Sequence, residues 1–144
     1  MSEPRSAAED RFPSSLEVVI DIPRLGFIKR DDDGHVDFIS PLPCPFNYGS
    51  VPNTLSGDGD REDALVLGER LARGRRVQVP VVARVDFEDA GLPDPKWVCS
   101  FGPLSNSDRR LVDAFFTFYA HSKSVLNHVR GKSGVTRYRG LRLR

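Results

Sequence analysis

Apolar and polar residues alternate over several short stretches of this chain, which is the pattern of half-buried β-strands. The longest stretch runs over 75–87, where Val77, Val79, Val81, Val85 and Phe87 share one side. Shorter strands are predicted at 16–22, 27–30, 35–39, 46–51, 64–67 and 97–101. The segments 27–30 and 35–39 flank an Asp-Gly turn, so they are expected to pair as a hairpin.

A helical pattern occurs only late in the chain. Leu111, Phe115 and Phe118 recur at helical spacing after polar residues at 106–108 that can cap a helix. Gly131 is expected to end this helix just after Val129. Many short strands followed by one amphipathic helix predict a small, strongly bent antiparallel barrel with the helix packed on it.

The length of 144 residues suits one domain with its own core. We expect a flexible tail at 1–13, a single domain at 14–131 and an exposed basic tail at 132–144. The net charge of +1 argues against a nucleic-acid or membrane partner. No signal-like or bilayer-spanning apolar run is found, and the two cysteines lack CxxC spacing, so a cytoplasmic location is expected.

The strongest chemical signal is the loop Asp58-Gly59-Asp60-Arg61-Glu62-Asp63, directly before an apolar strand. Three aspartates so close together repel one another unless a cation or solvent compensates them. Mg²⁺ prefers oxygen ligands of this kind, together with water and phosphate. A solvated acidic turn is the alternative. An EF-hand loop is disfavoured because Asp63 takes the position that requires glycine.

Further candidate residues are scattered along the chain: Asp21, Lys29, the segment Asn47-Tyr48-Gly49, Asp89, Asp94, Lys96 and Tyr119. Each also has an ordinary interpretation. The tyrosines can be core aromatics with a solvated hydroxyl, the lysines can be surface residues, and the aspartates can belong to turns.

Together these segments resemble the soluble (family I) inorganic pyrophosphatases. The similarity is carried by Pro45-Phe46-Asn47-Tyr48-Gly49, by Asn53-Thr54-Leu55-Ser56 and by the loop 58–63. The family has a PxNYG segment before an NTLSxDGDPxDVLV segment at similar spacing. The resemblance extends from about Val18 to Tyr119, and it implies a five-stranded OB-like β-barrel with a packed C-terminal helix.

The resemblance also implies roles for individual residues. Asp58, Asp63 and Asp94 would share one Mg²⁺, and Asp63 would bridge to a second. Asp89 would hold a further ion, and Asp21 would reach a metal through water. Asp60 would act as the base. The phosphate-binding residues would be Lys29, Tyr48, Lys96 and Tyr119.

The chain departs from the family at several of these positions. A phosphate-binding arginine of the family corresponds to Phe38, and a lysine that follows the helix tyrosine corresponds to Ala120. The usual proline and apolar residue of the acidic loop are Arg61 and Glu62. Two of the family's cations are therefore missing.

The leading hypothesis is Mg²⁺-dependent hydrolysis of inorganic pyrophosphate to two phosphates. Because two phosphate-binding cations are missing, two alternatives stay open: a domain that binds metal and phosphate or nucleotide without turnover, and hydrolysis of a larger phosphate substrate. The resemblance leaves the oligomeric state open, with a homo-oligomer as one option.

Overall fold

The computed structural model describes residues 11–26, 28–30, 33, 35–39, 43–52, 54 and 61–144. For residues 28–30 and 37–39 it describes the backbone alone. The strands of the described chain are β1 Ser15–Ile22, β2 Ile28–Arg30, β3 Val36–Ile39, β4 Asn47–Ser50, β5 Asp63–Val66, β6 Arg76–Asp89, β7 Leu92–Pro93, β8 Lys96–Cys99 and β9 Arg137–Leu143, and the helix is α1 Asn106–Val129.

Five strands close into a ring in the order β1, β4, β5, β8 and β6, with β6 pairing back onto β1. All of these pairings are antiparallel except that between β5 and β8. The two strands β2 and β3 form a separate hairpin. The prediction of a mainly β, five-stranded OB-like fold with one packed C-terminal helix is confirmed. The expectation that the ring is wholly antiparallel is wrong, because β5 and β8 pair in parallel.

Two apolar clusters hold this fold together. The ring-interior core collects residues from all five ring strands or next to them: Val18, Ile20, Val51, Ala64, Val66, Val77, Val79, Val81 and Cys99. The helix-side core joins the outside of the ring to α1 through Val112, Phe116 and Ala120. Val81 belongs to the first cluster and Ala83 to the second, and the register of β6 with β8 shifts between them. The long strand therefore serves both cores.

The helix ends follow from the local sequence. Ser105 is the N-cap, and it forms a reciprocal capping box with Asp108. At the other end Gly131 has φ 73°, and Lys132 N–H donates to the Asn127 carbonyl at 2.9 Å, the hydrogen bond of a Schellman motif. The predicted helix is confirmed, with its N-cap at Ser105 instead of at 106–108.

Residues 137–143 correct the prediction of an exposed basic tail. They form β9, which pairs antiparallel with residues 83–88 of β6. Tyr138 and Leu141 pack on the helix-side core, while Arg137 and Arg139 face Glu88. This strand forms because the edge of β6 at residues 83–88 is available for pairing. The sequence analysis missed it because its many arginines obscure the alternation of apolar and polar residues.

Candidate active site

Two parallel strands place a carboxylate and a lysine side by side. Asp63 and Lys96 are the first residues of β5 and β8, and they are register partners across the two strands. Parallel strands begin at the same end of a sheet, so residues separated by 33 positions in sequence meet there. Tyr48 lies on β4, the neighbour of β5 on the other side.

Lys96 is enclosed between two carboxylates. Its Nζ donates to Asp63 Oδ2 at 2.8 Å and to Asp94 Oδ2 at 2.7 Å, and its side chain is 1% exposed. Burial alone lowers the pKa of Lys96, but the charges of Asp63 and Asp94 outweigh burial and raise this pKa above its ordinary value. The lysine is therefore a fixed positive charge at this end of the ring.

Two tyrosines border the same group. Tyr48 OH donates to Asp63 Oδ2 at 2.8 Å. Burial, followed by the charge of Asp63, raises the pKa of Tyr48 well above its ordinary value. Burial also raises the pKa of Tyr119 to about 12, with opposing effects from Lys96 and from Asp63. Both phenols stay protonated at neutral pH and can donate hydrogen bonds.

Asp89 approaches from the far end of β6 and contacts the helix. Its Oδ1 accepts from Asn127 Nδ2 at 2.6 Å, and its Oδ2 lies 3.8 Å from Lys123 Nζ. Tyr119, Lys123 and Asn127 are spaced four residues apart on α1, so they lie along one face of the helix. The negative charge of Asp89 makes a small contribution to the raised pKa of Tyr119.

The structure thus brings together five of the residues predicted from sequence: Tyr48, Asp63, Asp94, Lys96 and Tyr119. Asp89 lies next to them on the side of α1. Asp21 precedes Ile22, whose register partner is Tyr48, so Asp21 is on the adjoining strand. Lys29 lies in β2 with its side chain undescribed, and Asp58 and Asp60 lie outside the described residues.

The donor chemistry of the described carboxylates fits a hard cation such as Mg²⁺, because Asp63, Asp89 and Asp94 offer only oxygen ligands. Over the ranges that the structure describes, no group of three or more His, Cys, Asp or Glu residues is close enough to hold a metal ion. The metal ligands predicted from sequence include Asp58, which those ranges leave out.

Several residues of the sequence motifs have structural roles. Asn47 is fully buried; its amide donates to the Val66 and Glu69 carbonyls, and its Oδ1 accepts from the Arg24 and Leu71 N–H groups. Gly49 faces the backbone of β1 so closely that a Cβ would lie 2.1 Å from the Val19 carbonyl oxygen. In the Asn-Tyr-Gly motif, therefore, Tyr48 belongs to the site, while its neighbours Asn47 and Gly49 stabilise the fold.

Asn127 and Thr136 were missed by the sequence prediction, although both contact Asp89. The spacing of Tyr119 and Asn127 along one helix face was an available signal. Thr136 gave none, because it lies in the segment interpreted as a tail. The two cysteines are free and buried, and burial raises the pKa of Cys44 to about 11 and of Cys99 to about 12. They are unsuited to act as nucleophiles.

The fold is a closed OB-like ring with an acidic, lysine- and tyrosine-bearing group at one end. The family model for inorganic pyrophosphatase matches residues 18–102, more than half of the chain. The chain belongs to the inorganic pyrophosphatase family. The matched residues include the whole of the described cluster except the part that α1 and Thr136 contribute.

Similar proteins agree with this family assignment. An inorganic pyrophosphatase of Aeropyrum pernix is 36% identical over 97 residues, which are 62% of this chain and 55% of that protein. One of Neisseria meningitidis serogroup A is 43% identical over 104 residues, 65% of this chain and 56% of that protein. These matches span little more than half the length of either relative.

The fold is also similar to solved structures. The inorganic pyrophosphatase of Thermus thermophilus superposes with a TM-score of 0.73 at 28% identity, covering 92% of this chain and 84% of that one. That of Helicobacter pylori gives a TM-score of 0.72 at 27% identity, covering 91% of this chain and 85% of that one.

In the described part of this chain, no helix is long and apolar enough to cross a membrane.

Proposed function

We propose that this protein hydrolyses inorganic pyrophosphate to two phosphates in a Mg²⁺-dependent reaction. The observation that carries the proposal is Lys96, a buried cation held between Asp63 and Asp94 with Tyr48 on the same carboxylate. Fixed charges of both signs at one end of a rigid ring suit a substrate that is itself a cation-bound polyanion. Membership of the pyrophosphatase family supports this substrate.

The described residues of the site would bind and orient the substrate. Lys96 supplies a permanent positive charge to a phosphoryl oxygen, and Tyr48 and Tyr119 supply phenol donors that remain protonated at working pH. Lys29 is proposed as a further phosphate-binding residue. In this structure Lys96 and Tyr48 donate to Asp63 and Asp94, so part of these hydrogen bonds would be exchanged for bonds to phosphoryl oxygens when substrate and Mg²⁺ bind.

The aspartates would hold the metal ions. We propose Asp58, Asp63 and Asp94 for a first Mg²⁺, with Asp63 shared by a second, Asp89 at a further ion and Asp21 acting through water. When bound, Mg²⁺ would neutralise the anionic substrate and make water more acidic. Asp60 is proposed as the general base that accepts a proton from the attacking water.

Phosphate release from pyrophosphate tests this proposal. Purified protein should release phosphate only when Mg²⁺ is present, and Asp60→Asn should lower the rate by about 10²–10⁴-fold, the contribution of one general base. Glu17→Gln is the matched control, because it removes a carboxylate on β1 that pairs with Arg76 on the surface.

Three other outcomes are informative. Mg²⁺ and phosphate binding without turnover would indicate the non-catalytic alternative. Turnover of nucleotides but not of pyrophosphate would indicate the larger substrate. Equal rates for Asp60→Asn and the wild-type protein would contradict the role of Asp60.

The cytoplasmic location and a homo-oligomeric assembly stay parts of this proposal. Cell fractionation tests the first, and sedimentation equilibrium of the purified protein tests the second.

A further inference from the structure

The carboxylate of Asp89 is held from outside the ring. Its Oδ1 accepts two hydrogen bonds, from Asn127 Nδ2 at 2.6 Å and from Thr136 Oγ1 at 3.4 Å. Asn127 belongs to the last turn of α1, and Thr136 lies just before β9. These two donors, a short one and a long one, restrain Oδ1, and the other oxygen, Oδ2, lies 3.8 Å from Lys123 Nζ.

The orientation of the Asn127 side-chain amide leaves one of its polar atoms without a hydrogen bond to any residue that the structure describes. The side chain is 4% exposed, and its amide nitrogen donates both to Asp89 Oδ1 and to Thr136 Oγ1 at 2.9 Å. Among the buried side-chain nitrogen and oxygen atoms of the described residues, Asn127 Oδ1 has no hydrogen-bond partner. A buried unpaired oxygen is unfavourable. Turning the amide over would instead direct its oxygen at the Asp89 carboxylate, so the acid dictates how Asn127 lies.

Thr136 is held equally firmly. Its Oγ1 accepts from the Ala90 N–H at 3.0 Å, so its proton is left for Asp89. The segment before it sits against the β6–β7 turn, where Gly91 N–H donates to the Val135 carbonyl at 2.8 Å. A Cβ on Gly134 would lie 2.4 Å from the Ala90 carbonyl oxygen, so this close approach requires glycine.

The turn that carries Asp89 is itself unusual. Ala90 has φ 51° and Gly91 has φ 83°, the signs of a type I′ hairpin turn, and alanine adopts the first of these values reluctantly. Asp89 therefore directly precedes a tight turn, and it is held there by contacts with two elements distant in sequence.

We propose that Asn127 and Thr136 are positioning residues that fix the Asp89 carboxylate so that its Oδ2 is presented to a divalent cation. Lys123 Nζ, 3.8 Å from Oδ2, is the positive charge beside that oxygen in this structure, and a bound cation would replace this long ion pair. The inference rests on the proposed function in one respect, namely that Asp89 is a ligand of Mg²⁺. It adds that the C-terminal segment, beyond the part of the chain that matches the family, takes part in the metal site.

Calorimetric titration of the full-length protein with Mg²⁺ alone tests the inference without using activity. Asn127→Ala and Thr136→Val should each weaken a Mg²⁺ site by about 10-fold or more, the usual effect of removing a group that orients a metal ligand. Thr136→Ser keeps the hydroxyl and should retain the wild-type affinity. Val112→Ala is the matched control: it weakens the packing of α1 away from Asp89, and should lower the melting temperature without changing Mg²⁺ affinity.

The inference is overturned if both Asn127→Ala and Thr136→Val fold and bind Mg²⁺ as the wild-type protein does. It is also overturned if Val112→Ala loses affinity to the same extent, since a general loosening of the helix would then explain the effect, or if the wild-type protein binds no Mg²⁺. If Asn127→Ala fails to fold, the comparison of Thr136→Val with Thr136→Ser decides. A wild-type protein that binds Mg²⁺ but releases no phosphate contradicts the proposed function, while the affinity ratios still judge this inference.

Discussion

Lys96 contacts both described aspartates at the end of the ring. Its ammonium group is nearly inaccessible to solvent and compensates two aspartates, Asp63 and Asp94, that would otherwise repel each other. The sequence shows only that Lys96 follows Asp94 by two residues, and it cannot reveal this burial. The fold places the lysine opposite Asp63 because β5 and β8 are parallel neighbours.

Replacing Lys96 by Met should lower the free energy of unfolding by about 3–5 kcal/mol in Mg²⁺-free buffer, because it leaves buried charges without their partner. Urea unfolding measures this loss. Lys132→Met, at an exposed position after the helix, should change stability by no more than about 0.5 kcal/mol. A loss of under about 1 kcal/mol for Lys96→Met would show that the two aspartates are not compensated by the lysine.

Tyr119 predicts how stability depends on alkaline pH. Its pKa is raised from an ordinary value of about 10 to about 12 in the folded protein, so folding disfavours the ionised phenol. The resulting stabilisation is complete below pH 10 and is lost as pH rises toward 12. Urea unfolding between these limits should show a falling free energy of unfolding, and Tyr119→Phe should show a smaller fall. Some fall should remain, because burial also raises the pKa of Tyr48 and Tyr138.

At the scale of elements, β4 illustrates how one motif combines structure with chemistry. Its tyrosine contacts the site, its asparagine satisfies four backbone groups, and its glycine permits β1 to pair closely. The sequence motif identified the segment correctly, but it could not separate these roles. Only the contacts show that Asn47 and Gly49 serve the ring.

Gly49→Ala should destabilise the protein by about 2 kcal/mol or more, because the added methyl group collides with the backbone of β1, which cannot move without opening the ring. Thermal unfolding followed by circular dichroism measures the effect. Gly102→Ala is the matched control, since a Cβ there meets no atom within 4 Å, and its melting temperature should stay near that of the wild-type protein. Equal melting temperatures for the two variants would contradict the close approach of β1 and β4.

The C-terminal strand is the element that the sequence concealed. Periodicity predicted α1 well, because a long helix repeats its apolar positions many times and has recognisable caps. β9 has only Tyr138 and Leu141 directed to the core among its arginines. A strand of this kind forms because β6 offers it an unpaired edge, which is a property of the assembled sheet.

At the scale of the whole molecule, the two cores are not independent. β5, β6 and β8 each contribute residues to the ring-interior core and to the helix-side core. Phe116 of α1 lies against Phe46 before β4, Phe87 of β6 and Tyr138 of β9, so the helix contacts three separate parts of the chain at once. Loss of one core therefore weakens the other.

This coupling predicts a single cooperative unfolding transition. Far-ultraviolet circular dichroism, which reports the helix, and fluorescence of Trp97, which packs on the ring-interior core, should give coincident melting curves. Phe116→Ala should cost about 3–5 kcal/mol, and Val79→Ala about 2 kcal/mol. Each should shift both curves together. Separate transitions in either variant would show that the helix and the ring unfold independently.

The sequence by itself determined the alternation of β6, the capped helix and the family to which the chain belongs. These depend on neighbouring residues, and a linear pattern records them. The tertiary structure alone decided that Asp63, Asp94 and Lys96 form one compensated group and that Asn127 and Thr136 hold Asp89. Such contacts join strands and loops far apart in the chain, and closure of the ring brings them together.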